Sequence, residues 1–252
     1  MAQTQTSRII VLHLTKYGDS GLVVHAIDSV AGRCSYMLRG AGRSKHVTVG
    51  SFHNLAVRDI VSIANPKSTM ALLKEYSPAM HLDSLRSDVV KSSITLFISE
   101  LLYRTIVEQN SDDRLFAWLC HAIALLDATG RTDAPATSVA NFHLWFLAGL
   151  CTALGFGPSQ NGDFDGSEYL QSAKLTASPA FGSKAAAADP SRGDNLTLLR
   201  QLTAIPYAEA MAIPLSGARR RDFCDQMVRY ISYHLGINLH LRSLDVLHDL
   251  YS

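Results

Sequence analysis

The spacing of apolar residues changes period once along this chain, at Ser77-Pro78, and that change restricts the folds open to it. Before it, apolar residues come in short runs, the first of them β-branched, at 8–14, 21–28, 33–39, 54–64 and 70–76, with Gly- or Pro-containing turns between them. Five such runs predict a small closed barrel of the OB type, because a flat sheet of that size would expose its edges. After Ser77-Pro78 the period becomes 3.6. Val90, Ile94, Phe97 and Leu101 share one face of a helix over 88–108, and Ser111-Asp112-Asp113 caps a second that runs to Gly130. The stretch 138–154 is apolar nearly all round and should be the most buried helix, with further helices at 196–202, 218–235 and 241–250. The chain therefore reads as α+β: an OB-type β-barrel over 1–80 followed by a mainly α-helical domain over 81–252. The Gly-, Ala-, Ser- and Asp-rich stretch 159–194 is expected to be a mobile insertion in that domain.

Charge is divided unevenly between the two parts. Residues 1–80 hold nine Lys or Arg against four acids, a net of +5 in a chain whose total is +1. The barrel half is built to meet an anion. From 29 to 58 there is no acidic residue, but there are five fixed positive charges and two histidines. At its centre, Arg39-Gly40-Ala41-Gly42-Arg43-Ser44-Lys45-His46 has glycines that let the backbone turn, so that Arg39, Arg43 and Lys45 can converge on a phosphodiester chain. Tyr36, on the strand before this loop, could offer its ring to a base, or it could lie in the barrel core. The loop lacks the Gly-x-x-x-x-Gly-Lys-Ser/Thr spacing of a nucleotide-binding loop, and it lies between strands.

Other function classes find little support. The four cysteines, Cys34, Cys120, Cys151 and Cys224, lie far apart and read as free thiols, not as a disulfide framework or a zinc site. No two of the ten histidines are spaced to put paired ligands on one helical face. Asp112-Asp113 reads as a helix cap, Asp163 and Asp165 fall in the expected insertion, and no nucleophile, base and orienter suggest themselves. No cofactor is expected. Neither a signal peptide nor a membrane anchor is legible, so the chain is expected in the cytoplasm.

Four stretches taken together carry a resemblance: KYGDSGLVVHAIDSVAGRCSYMLRGAGRSK at 16–45, VVKSSITLFISELLYRTIVE at 89–108, NFHLWFLAGLCTALGF at 141–156 and RYISYHLGINLHLRSLDVL at 229–247. In this order and at these distances the chain resembles the RecO family of bacterial recombination mediator proteins. The resemblance implies an OB barrel and a helical domain, and a non-catalytic role associated with the nucleoid. It implies binding of single- and double-stranded DNA, annealing of complementary strands, contact with the C-terminal tail of single-strand DNA-binding protein (SSB), pairing with RecR, and help in loading the RecA recombinase. The family's Lys/Arg-Gly-x-x-Arg/Lys signature falls on Arg39, Gly40, Arg43 and Lys45, with Lys16 and Arg33 nearby. Some members hold a four-cysteine zinc module after the central helix, whereas 159–194 has no cysteine, so a metal-free protein is expected. An acidic tail with an apolar end wants a greasy pocket with a cationic rim, and Arg219-Arg220-Arg221 could supply that rim or could be a solvated helical turn. Two other readings stay open from the residues: an RNA-binding OB protein of translation or RNA processing, and a small-molecule enzyme using a pocket of the helical domain.

Overall fold

The computed structural model describes residues 4–18, 21–39, 49–64, 68, 70–130, 139–157 and 195–250. The expected insertion at 159–194 lies outside the described residues, as do Gly40, Arg43, Lys45 and His46. The chain divides into two units, one formed by Met1–Val139 with His240–Leu250, the other mainly by Ala140–Leu239. The change of period at Ser77-Pro78 marks where strands give way to helices; the first unit contains both.

Five strands open the first unit: β1 (Thr4–Tyr17), β2 (Gly21–Asp28), β3 (Gly32–Leu38), β4 (Val57–Ile63) and β5 (Ala71–Pro78). They close in the order β1-β2-β3-β5-β4, the barrel expected from the sequence. Closure depends on β1, which is longer than the 8–14 run suggested. Its first half pairs antiparallel with β4 and its second half with β2, with a bulge between Val11 and His13 where the strand bends from one neighbour to the other. Ile9, Val11, Val24, Ala26, Tyr36, Leu38 and Ile60 fill the interior, and Phe52, on a short 3-10 turn (Val49–Phe52), packs among them. The run 54–64 becomes a strand only at Val57, because Leu55 adopts a left-handed conformation (φ 59°) while its N–H donates to the Val11 carbonyl at 2.7 Å.

A buried carboxylate fixes the β2–β3 hairpin. Asp28 is 1% exposed and accepts from the hydroxyls of Ser7 and Tyr36 and from the backbone N–H groups of Val30 (2.7 Å) and Ala31 (3.1 Å). Gly32 then turns with φ 67°, and a Cβ there would lie 2.4 Å from the Asn110 carbonyl oxygen. Gly32→Ala combines a disfavoured backbone with a clash against main chain. It is expected to cost about 2 kcal/mol or more, read as a lowered urea midpoint.

Helices α1 (Ser84–Ser87), α2 (Val89–Thr105) and α3 (Asp113–Ala128) follow in the first unit, the last two capped by the Asp88 and Asp112 side chains. Residues Ile10 and Leu12, on the strand face opposite Ile9 and Val11, are nevertheless buried, and the Ser99 hydroxyl of α2 donates to the Leu12 carbonyl. The expected helix over 88–108 stops at Thr105 because Ile106 is extended, and this frees the Glu108 carbonyl to accept the Arg33 N–H at 2.8 Å. Lys91, 3% exposed, donates to the Ser84 hydroxyl and the Asp127 carbonyl, both at 2.8 Å, tying α1, α2 and α3 together.

The second unit contains α4 (Phe142–Ala153), α5 (Asn195–Ala204), α6 (Tyr207–Ala212) and α7 (Gly217–Leu235). The first of these is buried nearly all round, as the sequence predicts, and Asn141 before it donates to the Ile213 carbonyl at 2.8 Å. The long last helix ends at Gly236 (φ 62°), whose neighbour Ile237 donates back to Ser232 in a Schellman pattern. Two short helices, α1 and α6, have no periodic signal long enough to read from sequence. The first unit is completed by α8 (Arg242–Leu250), whose first N–H groups, from Arg242 and Ser243, are accepted by the Glu100 carboxylate of α2 at 3.2 and 2.9 Å.

Candidate nucleic-acid interface

The sequence-derived site residues divide between two places on the barrel. Lys16 lies opposite Leu22, and Leu22 lies opposite Leu38, so exposed Lys16 and exposed Arg39 stand at the same end of the first three strands. There the acid-free segment continues from Arg39 into 40–48. Parallel pairing joins β3 to β5 at Tyr36–Ala71 and Met37–Leu72, and Arg39 and Lys74 each follow two residues after the last of these partners. Lys74 is exposed and occupies a bulge: Val61 faces Glu75 and Ser62 faces Leu73, leaving Lys74 as the extra residue. The sequence reading counted Lys74 among the basic residues but did not single it out. Its signal was the pair Leu72-Leu73 followed by Lys-Glu, which breaks strict alternation.

Two expectations need correction. Tyr36 is not a platform for a base: its ring lies in the barrel core, 4% exposed, and its hydroxyl donates to Asp28, with burial pushing its pKa up. Its position was readable, because Tyr36 shares strand parity with inward-facing Leu38 and opposes that of Arg33 and Arg39. Arg33 does not join the other cations. It is six residues from Arg39 along β3, roughly 20 Å at ~3.3 Å per residue, with its guanidinium 4.3 Å from the centre of the Tyr103 ring. Arg58, of the same segment, is spent locally, donating to the Ser51 carbonyl at 2.7 Å, and outside the segment Arg8 pairs with Asp59 across β1 and β4 at 2.7 Å.

The triple arginine that opens α7 is likewise engaged. Arg219 bonds Asn195 and Asp222, and the Arg220 Nε donates to Asn141 Oδ1 at 2.8 Å. These contacts join α5, α7 and the residue before α4, so this part of the cluster has a structural task. Among the described residues, no group of three or more His, Cys, Asp or Glu could hold a metal ion. Burial pushes the thiols of Cys34 and Cys151 up to about 11 and about 12, away from nucleophilic thiolate. No described helix is long and apolar enough to cross a membrane.

Comparison with known proteins bears on the same architecture. The family model "Recombination protein O C terminal" matches residues 86–244, more than half of the chain. This chain belongs to the RecO family. The DNA repair protein RecO of Bacteroides fragilis is 32% identical over 96% of this chain and 97% of its own. RecO of Porphyromonas gingivalis is 30% identical, and that of Christiangramia forsetii 27%, each over 97% of this chain and 98% of its own. RecO membership agrees with the closed amino-terminal barrel followed by helices, and DNA repair is the role it carries.

Proposed function

We propose that this RecO-family chain is a non-catalytic mediator of recombinational repair in the cytoplasm. It binds single- and double-stranded DNA at the Lys16–Arg39–Lys74 end of the barrel, anneals complementary strands, and helps load the RecA recombinase onto SSB-coated DNA. RecR and the C-terminal tail of SSB are its protein partners under this reading. The observation that supports it is that exposed Lys16 and Arg39 stand at one end of the first three strands, where the acid-free segment with Arg43 and Lys45 follows β3 in the chain. Strand annealing needs no bond made or broken by the protein. It needs a surface that lowers the repulsion between two phosphodiester chains while leaving bases free to pair. The family's role in DNA repair favours DNA over RNA as the polyanion.

Five cations, each neutralising one phosphate at about 0.7 counterions on a single strand, give a log affinity against log salt slope of roughly −3.5. Fluorescence anisotropy with a labelled oligodeoxythymidylate across about 50–200 mM salt reads it. A slope near zero would remove the electrostatic basis of the proposal. Competition between matched DNA and RNA oligomers tests the RNA-binding alternative; a clear preference for RNA would transfer the protein to that class.

A further inference from the structure

A second polar site lies on the outer face of the barrel, away from the Lys16–Arg39 end. His13 on β1, His25 on β2 and Ser35 on β3 are directly cross-strand, forming a row over three strands. The two imidazoles stack with centroids 6.0 Å apart, and Tyr103 of α2 meets both edge-on at 5.7 and 5.6 Å. Both ring nitrogens of His25 are held by hydroxyls, Nε2 by Thr15 at 3.1 Å and Nδ1 by Ser35 at 2.8 Å. A hydroxyl donates or accepts, so this ring can be neutral or protonated without losing either bond. Beside the row opens a cleft of about 570 Å³ lined by His25, Arg33, Ser35, Met70, Tyr103 and Gln109 among others, with no acidic residue among the described residues of its lining.

Arg33 is the chemically unusual member. It is half-buried, and burial pushes its pKa down. Among the described residues no carboxylate stands within ion-pair distance of it, and its hydrogen bond to the Ala26 carbonyl is long, at 3.4 Å. The Tyr103 ring offsets part of the lost hydration through its electron-rich face, and its hydroxyl also meets the guanidinium, leaving others of the five donors for something else. A partly desolvated guanidinium beside an imidazole and hydroxyls is a recognition set for an anion with several acceptor oxygens.

We propose that this cleft binds a phosphate group, with Arg33 as the principal donor and His25, Ser35 and Gln109 completing the shell. The phosphate comes either from the backbone of a bound strand or from a free nucleotide. The first source builds on the DNA-binding reading given above; the second is independent of it. In the unliganded protein, burial first, then the charges of Arg33 and His13, hold His25 below its ordinary pKa. A bound phosphate, singly charged in a strand and up to doubly charged in a mononucleotide, opposes the charges of Arg33 and His13, so the His25 ring signal reports occupancy directly.

The test follows the His13 and His25 ring resonances of the full chain by NMR during titration with thymidine monophosphate and, separately, with an oligodeoxythymidylate. Both signals are expected to move in a saturable way. Movement with the oligomer at lower concentration assigns the phosphate to a strand, and movement with the mononucleotide alone assigns it to a free nucleotide. No movement with either probe overturns the proposal, and needs no variant. In parallel, Arg33→Gln is expected to weaken the effective probe about tenfold and to flatten the oligomer's salt slope by about one. Unchanged binding by a folded Arg33→Gln protein also overturns it. Lys16→Glu with Arg39→Glu leaves the mononucleotide response in place, so failure at the barrel end and failure at the cleft are read separately.

Discussion

Asp28→Ala is expected to remove about 3–5 kcal/mol of stability, enough to leave the first unit largely unfolded if it has the modest margin of ordinary domains. The carboxylate satisfies four donors in a dry place: two hydroxyls and two backbone N–H groups. Removing it strands buried polar groups, each at a cost of about 1–3 kcal/mol, and opens a void between β1 and the β2–β3 turn. Asp28→Asn separates hydrogen bonding from charge. Its Oδ1 can still accept from Val30 and Ala31, and its amide can donate to the Ser7 and Tyr36 hydroxyls, which rotate to accept. Its expected cost is smaller, about 1–2 kcal/mol. Urea denaturation followed by near-ultraviolet circular dichroism gives both numbers. A loss below about 1 kcal/mol for the alanine variant would mean that water reaches this site.

The largest functional effect is expected from reversing Lys16 and Arg39 together. Each reversal removes an attraction and adds a repulsion, so Lys16→Glu with Arg39→Glu should weaken single-strand binding about 100-fold at low salt and flatten the salt slope by about two. Both side chains are exposed at strand ends, so the variant should unfold at the same urea concentration as the wild type. Arg200→Glu, an exposed cation on α5 of the other unit, is the control and should change affinity less than twofold. Equal weakening by the control would reduce the interface to net charge. Unchanged binding by the double variant would show that DNA does not use this end of the barrel.

The barrel and the helices were legible because their signals are local. The run 21–28 matches a strand end for end, and the apolar stretch around Phe142–Ala153 could only be a buried helix. Sequence could not count how many cations remain available once folded. Arg58 and Arg33 add the same charge to the 29–58 segment as Arg39, yet one bonds a carbonyl, another lies against an aromatic ring, and the third is exposed. Each fate is set by a partner distant in the chain: Tyr103 is seventy residues beyond Arg33. The His13–His25–Ser35 row was hidden for a related reason. Both histidines were readable as strand residues, but their pairing depends on the β1 bulge, and moving a register by one residue sends a side chain to the other face. Lys74, by contrast, could have been found from the broken alternation around it.

Glu100 caps a helix that begins 142 residues later in the chain. During synthesis, α2 therefore emerges from the ribosome long before α8, the element that uses Glu100 and places Leu247 in a fully buried position. Until then the nascent first unit holds an uncovered apolar surface, and the whole of Ala140–Leu239 is made in that interval. The unit that holds the barrel is thus begun before Ala140–Leu239 is made and completed after it, and in that interval its apolar surface is open to aggregation.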